Sequence, residues 1–276
     1  MKEDAVEQIV ATNKYEIGTE IQQQIERLRR NCVVELKSVQ YFHAWLEDKR
    51  HCRQVCRVVG ESQTGKTFAC SMYRSKNIPK QSSGDALIVP VIYWKATTNT
   101  SQREFFVGLL EQLQYRVKSI RIFDLLNQIY WLLKACQVEM IIVDEAQRLS
   151  PKTLSGIQDV LDDLEISVVL VGTDRLDAVV GGDEQILRRF SPCYRFQRFD
   201  SKSLEEITAI WEKYVLKLPQ PSNLTSFPMQ KILGASTGGY LGPLDKILRS
   251  AARLALQSGK LRIDVSLLSQ VVLEHK

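Results

Sequence analysis

Apolar positions along the chain fall into two rhythms. Before residue 50 they recur at steps of three and four: Ile17, Ile21, Ile25 and Leu28, then Val39, Phe42, Trp45 and Leu46. That is the spacing of one buried helix face. The rhythm then breaks. Val55-Cys56-Arg57-Val58-Val59 is a short β-rich run entering Gly60, and a helix is expected to open near Lys66. Residues 86–93 predict a strand, and 104–115 and 122–135 predict two helices. Met140-Ile141-Ile142-Val143 is a continuous apolar run ended by two carboxylates, as strands buried on both faces are. Pro151 suits the first turn of a helix running to Leu164. Residues 166–171 and 194–199 supply two more strands. Strands separated by helices predict an α/β fold with a parallel five-stranded, doubly wound sheet flanked by helices.

Beyond residue 200 the helical rhythm returns. Ser203-x-x-Glu206 predicts a capping box ahead of a stripe formed by Leu204, Ile207, Ile210, Trp211, Tyr214 and Val215. Leu218-Pro219-Gln220-Pro221-Ser222-Asn223 reads as a linker. Three more helices are expected near 229–235, over 244–257 and behind a cap at Asp264. The chain thus divides into an N-terminal helical extension (1–45), an α/β core (46–200) and a small C-terminal helical domain (201–276).

Composition adds bounds. With 276 residues, 44% hydrophobic and 25% charged, the chain can bury one main core and a smaller satellite. No apolar run approaches the roughly 20 residues that span a bilayer. Met1-Lys2-Glu3-Asp4 is polar and leads into no apolar segment of signal-peptide type, so a cytoplasmic protein is expected. Six cysteines occur without a CxxC pair, which favours reduced structural thiols over a metal site. Net charge is +5, and residues 46–80 carry eight Lys/Arg against three acids, an excess as large as that of the whole chain. An anionic partner and a solvated helix face explain that excess equally well.

The chemistry is sharper. Gly60-Glu61-Ser62-Gln63-Thr64-Gly65-Lys66-Thr67 satisfies GxxxxGK[ST] and lies between a β-rich run and a helix. Such a loop turns successive backbone N–H groups toward one anion, helped by the positive end of the following helix. Lys66 is expected to reach the β- and γ-phosphates of ATP, and the Thr67 hydroxyl to ligate Mg²⁺, with Phe68 closing the segment. Asp144 belongs at the carboxyl edge of a buried strand, where this topology places ligands, and would hold the Mg²⁺ hydration shell. Glu145 is placed to orient or deprotonate the attacking water. Thr173, in Gly172-Thr173-Asp174, either meets the γ-phosphate or the water, or serves only as a turn donor. Arg188-Arg189-Phe190 follows a short helix starting near Asp183. Arg189, ahead of Arg188, is the candidate for entering a neighbouring subunit's site, an effect worth about 10³–10⁵ in rate. A surface arginine pair is the other reading.

A P-loop, an Asp-Glu second motif, a strand ending in Gly-Thr-Asp, a downstream Arg-Phe pair and a helical lid together resemble an AAA+ ATPase. More narrowly the chain is similar to the TnsC/TniB family of transposition regulators, with its nearer likeness to the short TnsC of CRISPR-associated transposons. The residues that carry this are Cys56-Arg57-Val58-Val59-Gly60-Glu61-Ser62, residues 138–146, Val169-Leu170-Val171-Gly172-Thr173-Asp174-Arg175-Leu176-Asp177-Ala178-Val179 and Val215-Leu216-Lys217-Leu218-Pro219. The resemblance implies ATP-dependent assembly into rings or helical filaments on double-stranded DNA. It implies recruitment of a transposase, signals from a TniQ-type adaptor and an RNA-guided CRISPR effector, and disassembly on hydrolysis. It also implies DNA-backbone contacts after the second strand, where Arg103, Arg121 and Lys118 are the candidates. The family's lid arginine falls on Pro243, leaving Lys246 or Arg249 as stand-ins. A helicase-loader type of AAA+ protein and a nucleotide-gated scaffold with negligible hydrolysis are the alternatives.

Overall fold

The computed structural model describes residues 20–30, 34–81, 87–117 and 121–275, with only the backbone of 158–163. Its central sheet has five parallel strands: β1 (Cys56–Gly60), β2 (Val91–Lys95), β3 (Met140–Asp144), β4 (Ser167–Gly172) and β5 (Cys193–Phe196). They lie in the order β2-β3-β4-β1-β5. Every residue of β3 and β4 is buried, as central strands covered on both faces must be. Register pairs Val59 with Gly172 and Lys95 with Asp144. The carboxyl ends of β1, β3 and β4 therefore finish along one edge, which is the edge on which this topology holds ligands.

Parallel neighbours need crossovers, and helices supply them. Helix α3 (Lys66–Lys76) follows β1; α4 (Gln102–Gln112) and α5 (Ile122–Ala135) join β2 to β3; α6 (Pro151–Leu164) joins β3 to β4; α7 (Arg175–Gly181) and α8 (Glu184–Arg189) lead to β5. Helix α4 opens with a capping box in which Ser101 and Glu104 satisfy one another's backbone N–H groups. Its Phe105, Phe106, Leu109 and Leu110 pack with Leu125, Ile129 and Leu133 of α5 and with Ile141 and Leu170 of the sheet. Each such side chain, fully buried, contributes about 1.5–3 kcal/mol. On the other edge α2 (Lys37–His51) covers β5, with the Phe42 ring 4.9 Å from both Tyr194 and Phe196.

Among the described residues, those within 37–197 form one compact unit, and those within 20–36 together with 198–275 form a second. The second unit holds a helix over 20–29 (α1), α9 (Ser201–Ile210), a π-helical stretch (Trp211–Leu216), α10 (Phe227–Thr237), α11 (Leu241–Gln257) and α12 (Val265–Glu274). Arginines staple α1 into it. The Arg27 guanidinium donates to the carbonyls of Val215 (2.7 Å) and Leu216 (2.5 Å), which end the π-helical stretch. Buried Arg249 donates to the carbonyls of Leu28 and Arg30 and to the Asp245 carboxylate, which also accepts from the Trp211 indole.

Three expectations are corrected. Of the apolar run 86–93, whose first residue lies outside the described residues, strand begins only at Val91 and runs on to Lys95. Pro90 cannot donate to a ladder, and its carbonyl instead accepts from Glu139 and Met140. The cap of α9 is Asp200, not Ser203: its carboxylate accepts from the Ser203 N–H at 2.8 Å, and the helix starts at Ser201. Tyr214 points outward with Lys213 over its ring, while Leu216 is buried in its place. The wider π turn advances the apolar stripe, which a count at 3.6 residues per turn does not follow. The helices expected to open near Lys66, near Asp183 and behind Asp264 do so.

Removing the Arg249 side chain strands a carboxylate and two carbonyls. Arg249→Ala is expected to cost the second unit about 3 kcal/mol, the scale for breaking a buried charged pair, seen as a lower urea midpoint. Exposed Lys246→Ala should change that midpoint by no more than the equivalent of about 0.5 kcal/mol. Equal midpoints for Arg249→Ala and the parent protein would refute the staple.

Candidate functional site

The loop from Gly60 to Thr67 leaves β1 where the backbone runs against β5. A Cβ on Gly60 would come within 2.5 Å of the Phe196 carbonyl oxygen, so only glycine fits. Gln63 (φ 68°) and Gly65 (φ 96°) then take left-handed backbone, the second as the residue just before α3. Left-handed residues in such a loop are what lets backbone N–H groups turn toward one anion, and α3 adds its positive end. Within the loop Thr64 is buried and its hydroxyl donates to the Glu61 carbonyl (2.8 Å), while Ser62 and Gln63 are exposed. Phe68 is partly exposed on the first turn of α3.

Lys66 is buried inside this curl. Its ammonium donates to the carbonyls of Gly60 (2.7 Å) and Glu61 (2.6 Å). Burial lowers its pKa, and the carboxylates of Asp144, Glu145 and Asp174 pull in the opposite direction. A buried cation bonded to neutral carbonyls is costly, and an anion in the adjoining nest would offset that cost.

Thr67 and Asp144, 77 residues apart, meet directly: the hydroxyl donates to Oδ2 at 2.8 Å. The same oxygen accepts from the Tyr93 phenol of β2 at 2.6 Å, and Oδ1 accepts from the Glu145 N–H at 2.9 Å. Asp144 is therefore fixed from three directions. Burial, reinforced by Asp144 itself, pushes the Tyr93 pKa up, so the phenol stays a donor. Tyr93 was not among the residues the sequence singled out. Its place depends on β2 lying beside β3, a pairing that no local pattern encodes.

Glu145 has left-handed backbone (φ 56°). Its carboxylate accepts from the Gln147 side chain at 2.7 Å and lies 3.4 Å from the Arg148 guanidinium. Thr173 follows the end of β4, its N–H bonded to the Gln147 side-chain oxygen at 3.4 Å. The Thr173 hydroxyl is buried with no hydrogen-bond partner. Lys66, Thr67, Asp144, Glu145 and Thr173 are thus gathered through direct bonds and shared charge at one sheet edge.

The arginine candidates lie further along. Phe190 is buried and anchors the end of α8, leaving Arg188 and Arg189 exposed. Arg188 pairs with Glu184 at 2.6 Å on the open helix surface, a contact of small energetic weight. Arg57 of β1 donates to the Phe190 carbonyl (2.5 Å) and to Asp177 (2.9 Å), and Arg195 of β5 ties Asp177 to Asp174. This ladder fixes the segment between Thr173 and Arg189. Arg103 is exposed on the first turn of α4, and Arg121 is the residue just before α5. Lys118 lies outside the described residues. Of the two stand-ins for a lid arginine, Arg249 is consumed by α1 and Asp245, and Lys246 is exposed.

A hydroxyl and a carboxylate form a hard oxygen donor set. Among the described residues no cluster of three or more His, Cys, Asp or Glu could cage a metal unaided. That combination suits Mg²⁺, which keeps waters and shares phosphate oxygens with one or two carboxylates. Five of the cysteines lie among the described residues, and all five are free thiols. No helix among the described residues is long and apolar enough to cross a membrane.

Comparison with known folds agrees with this geometry. The Aeropyrum pernix ORC2 protein, solved in ADPNP–ADP complexes, superposes with a TM-score of 0.67 at 14% identity over 90% of this chain and 71% of its own. Cdc6p from Pyrobaculum aerophilum gives 0.64 at 17% identity, over 86% and 67%. The Thermotoga maritima RuvB Holliday junction branch migration motor gives 0.55 at 12%, over 90% and 72%. These likenesses establish the AAA+ P-loop ATPase fold. No curated protein sequence matches the chain. The profile of the family described as "Bacterial TniB protein" matches residues 25–199, from α1 through all five strands. With well over half of its length matched, the chain belongs to the bacterial TniB family.

Proposed function

We propose that this protein is an Mg²⁺-dependent ATPase that regulates DNA transposition by assembling on double-stranded DNA as a ring or helical filament. The observation that carries the reading is the Thr67–Asp144 bond beneath buried Lys66, in a chain whose family profile is TniB. In this reading the loop from Gly60 to Thr67 binds the phosphates, and Lys66 leaves its carbonyl partners for the β- and γ-oxygens. Thr67 and the Asp144-held water shell would keep the metal, which when bound neutralises phosphate charge. Glu145 orients or deprotonates the attacking water, and Thr173 offers its unpartnered hydroxyl to the γ-phosphate or that water. Arg189 of an adjoining protomer, or Arg188 beside it, completes the charge balance. Nucleotide then acts as a clamp between subunits, and hydrolysis releases it.

Arg103, Arg121 and Lys118 track the DNA backbone in this reading. Glu104, next to Arg103, holds its carboxylate on the Ser101 N–H and hydroxyl. The partners are the transposase, a TniQ-type adaptor and an RNA-guided CRISPR effector, as in TnsC of CRISPR-associated transposons. The likeness to origin-recognition proteins supports a second reading, a helicase loader or replication-type ATPase. The family profile favours the first.

Electron microscopy with ATP and random-sequence duplex separates the two. Regular filaments or stacked rings along the DNA are expected, and isolated closed complexes would support the loader. Lys66→Ala is expected to abolish the ATP-dependent assembly, whereas Glu145→Gln should bind ATP normally and hold the assembled state by slowing hydrolysis about 10²-fold or more. Normal turnover by Glu145→Gln would remove that residue from its role. For DNA, Arg103→Ala and Arg121→Ala should each weaken binding uniformly across sequences. Each should also lower the slope of log K against log[salt] by about 0.9, one phosphate contact. An unchanged slope would place these arginines away from the duplex.

A further inference from the structure

The Glu145 side chain is held by groups outside both phosphate motifs. The turn that follows it, the 3-10 segment Ala146–Arg148, returns the Gln147 amide onto its carboxylate, Nε2 to Oε2 at 2.7 Å. The other end of the same amide meets the end of β4: Oε1 accepts from the Thr173 N–H at 3.4 Å. It also lies so near Gly172 that a Cβ there would fall 2.4 Å from it. A primary amide has one donor end and one acceptor end on a rigid plane. Flipped, it would turn its oxygen on a carboxylate and its NH₂ on an N–H, so only one orientation satisfies both neighbours. The buried, unpartnered Thr173 hydroxyl stands beside this junction.

We propose that Gln147 is a positioning residue that yokes the Glu145 carboxylate to the Gly172–Thr173 turn, so that the base is aligned only when that turn is seated on its ligand. This rests on the hydrolytic reading above and adds a residue that neither motif contains. The strained backbone of Glu145 sets where the carboxylate emerges, and the Gln147 amide sets where it points. Movement of Thr173 toward a phosphate would carry Gln147, and through it Glu145.

Steady-state kinetics on the full chain with DNA and MgATP, paired with direct nucleotide titration, tests the yoke. Gln147→Ala is expected to lower kcat at least about tenfold, a part of the 10²–10⁴ that a positioned base contributes, with nucleotide affinity held within about twofold. Gln147→Glu keeps the shape but sets carboxylate against carboxylate, so it should fall as far; a packing role would tolerate it. Adding Gln147→Ala to Thr173→Ala should cost nothing further, since the two act as one unit. Wild-type kcat in either Gln147 variant, or fully additive losses, overturns the proposal. A second readout needs no turnover. In the nucleotide-free protein the Gln147 amide proton that faces Glu145 should resonate downfield of a free glutamine amide and move back toward the free position in Glu145→Ala; an unchanged shift also overturns it. If the parent protein fails to hydrolyse ATP, the hydrolytic reading falls, while the amide spectrum still decides whether the yoke exists.

Discussion

The Asp144 carboxylate is the point on which the site turns, because two segments distant in sequence and the turn that follows it each place a donor on it. Thr67 arrives from α3, Tyr93 from β2, and the Glu145 N–H from the turn leaving β3. A buried carboxylate is tolerable only when such donors surround it. Satisfying it therefore fixes β3 against β2 and α3 against the sheet edge at once. The parallel order β2-β3-β4-β1-β5 makes the convergence possible, since it ends the strands carrying Gly60, Asp144 and Gly172 on the same side.

Lys66 faces a complementary constraint. Its ammonium is buried on carbonyls of its own loop while three carboxylates act on it through space. The loop holds that cation in low dielectric, where its interaction with any added charge is strong. The same residues that organise the core's upper edge thus leave a local electrostatic deficit there. Gln63 in the same loop holds left-handed backbone, strain of the kind that clusters at functional sites.

Much of this was legible in the sequence where the signal is local. GxxxxGK[ST] between a strand and a helix, and an apolar run ending in Asp144-Glu145, pointed to residues that the fold does gather at one sheet edge. Boundaries failed where two signals competed. Asp200 and Ser203 are both good cap residues, and Asp200 takes the role with the preceding Phe199 already bonded to the Gly239 carbonyl. Tyr214 failed because a π turn shifts the helical count. Tyr93 and Gln147 were invisible for a deeper reason: their partners are set by strand register and by a 3-10 turn, neither of which leaves a period or a motif. Arg249 looked like a free lid cation and proved to be the anchor of α1.

The staple between α1 and the C-terminal helices has a consequence for synthesis. One compact unit joins the described residues before Lys37 to those after Gln197, with the P-loop unit lying between them in sequence. On the ribosome, residues 37–197 emerge complete and can collapse around their sheet while Arg27 still waits for Val215 and Leu216 to be made. The helix over 20–29, with Ile25 and Leu28 apolar, must stay unmated through that interval, a window in which nascent chains associate with one another or with chaperones. The discontinuous unit thus closes only after the segment between its two parts has been made.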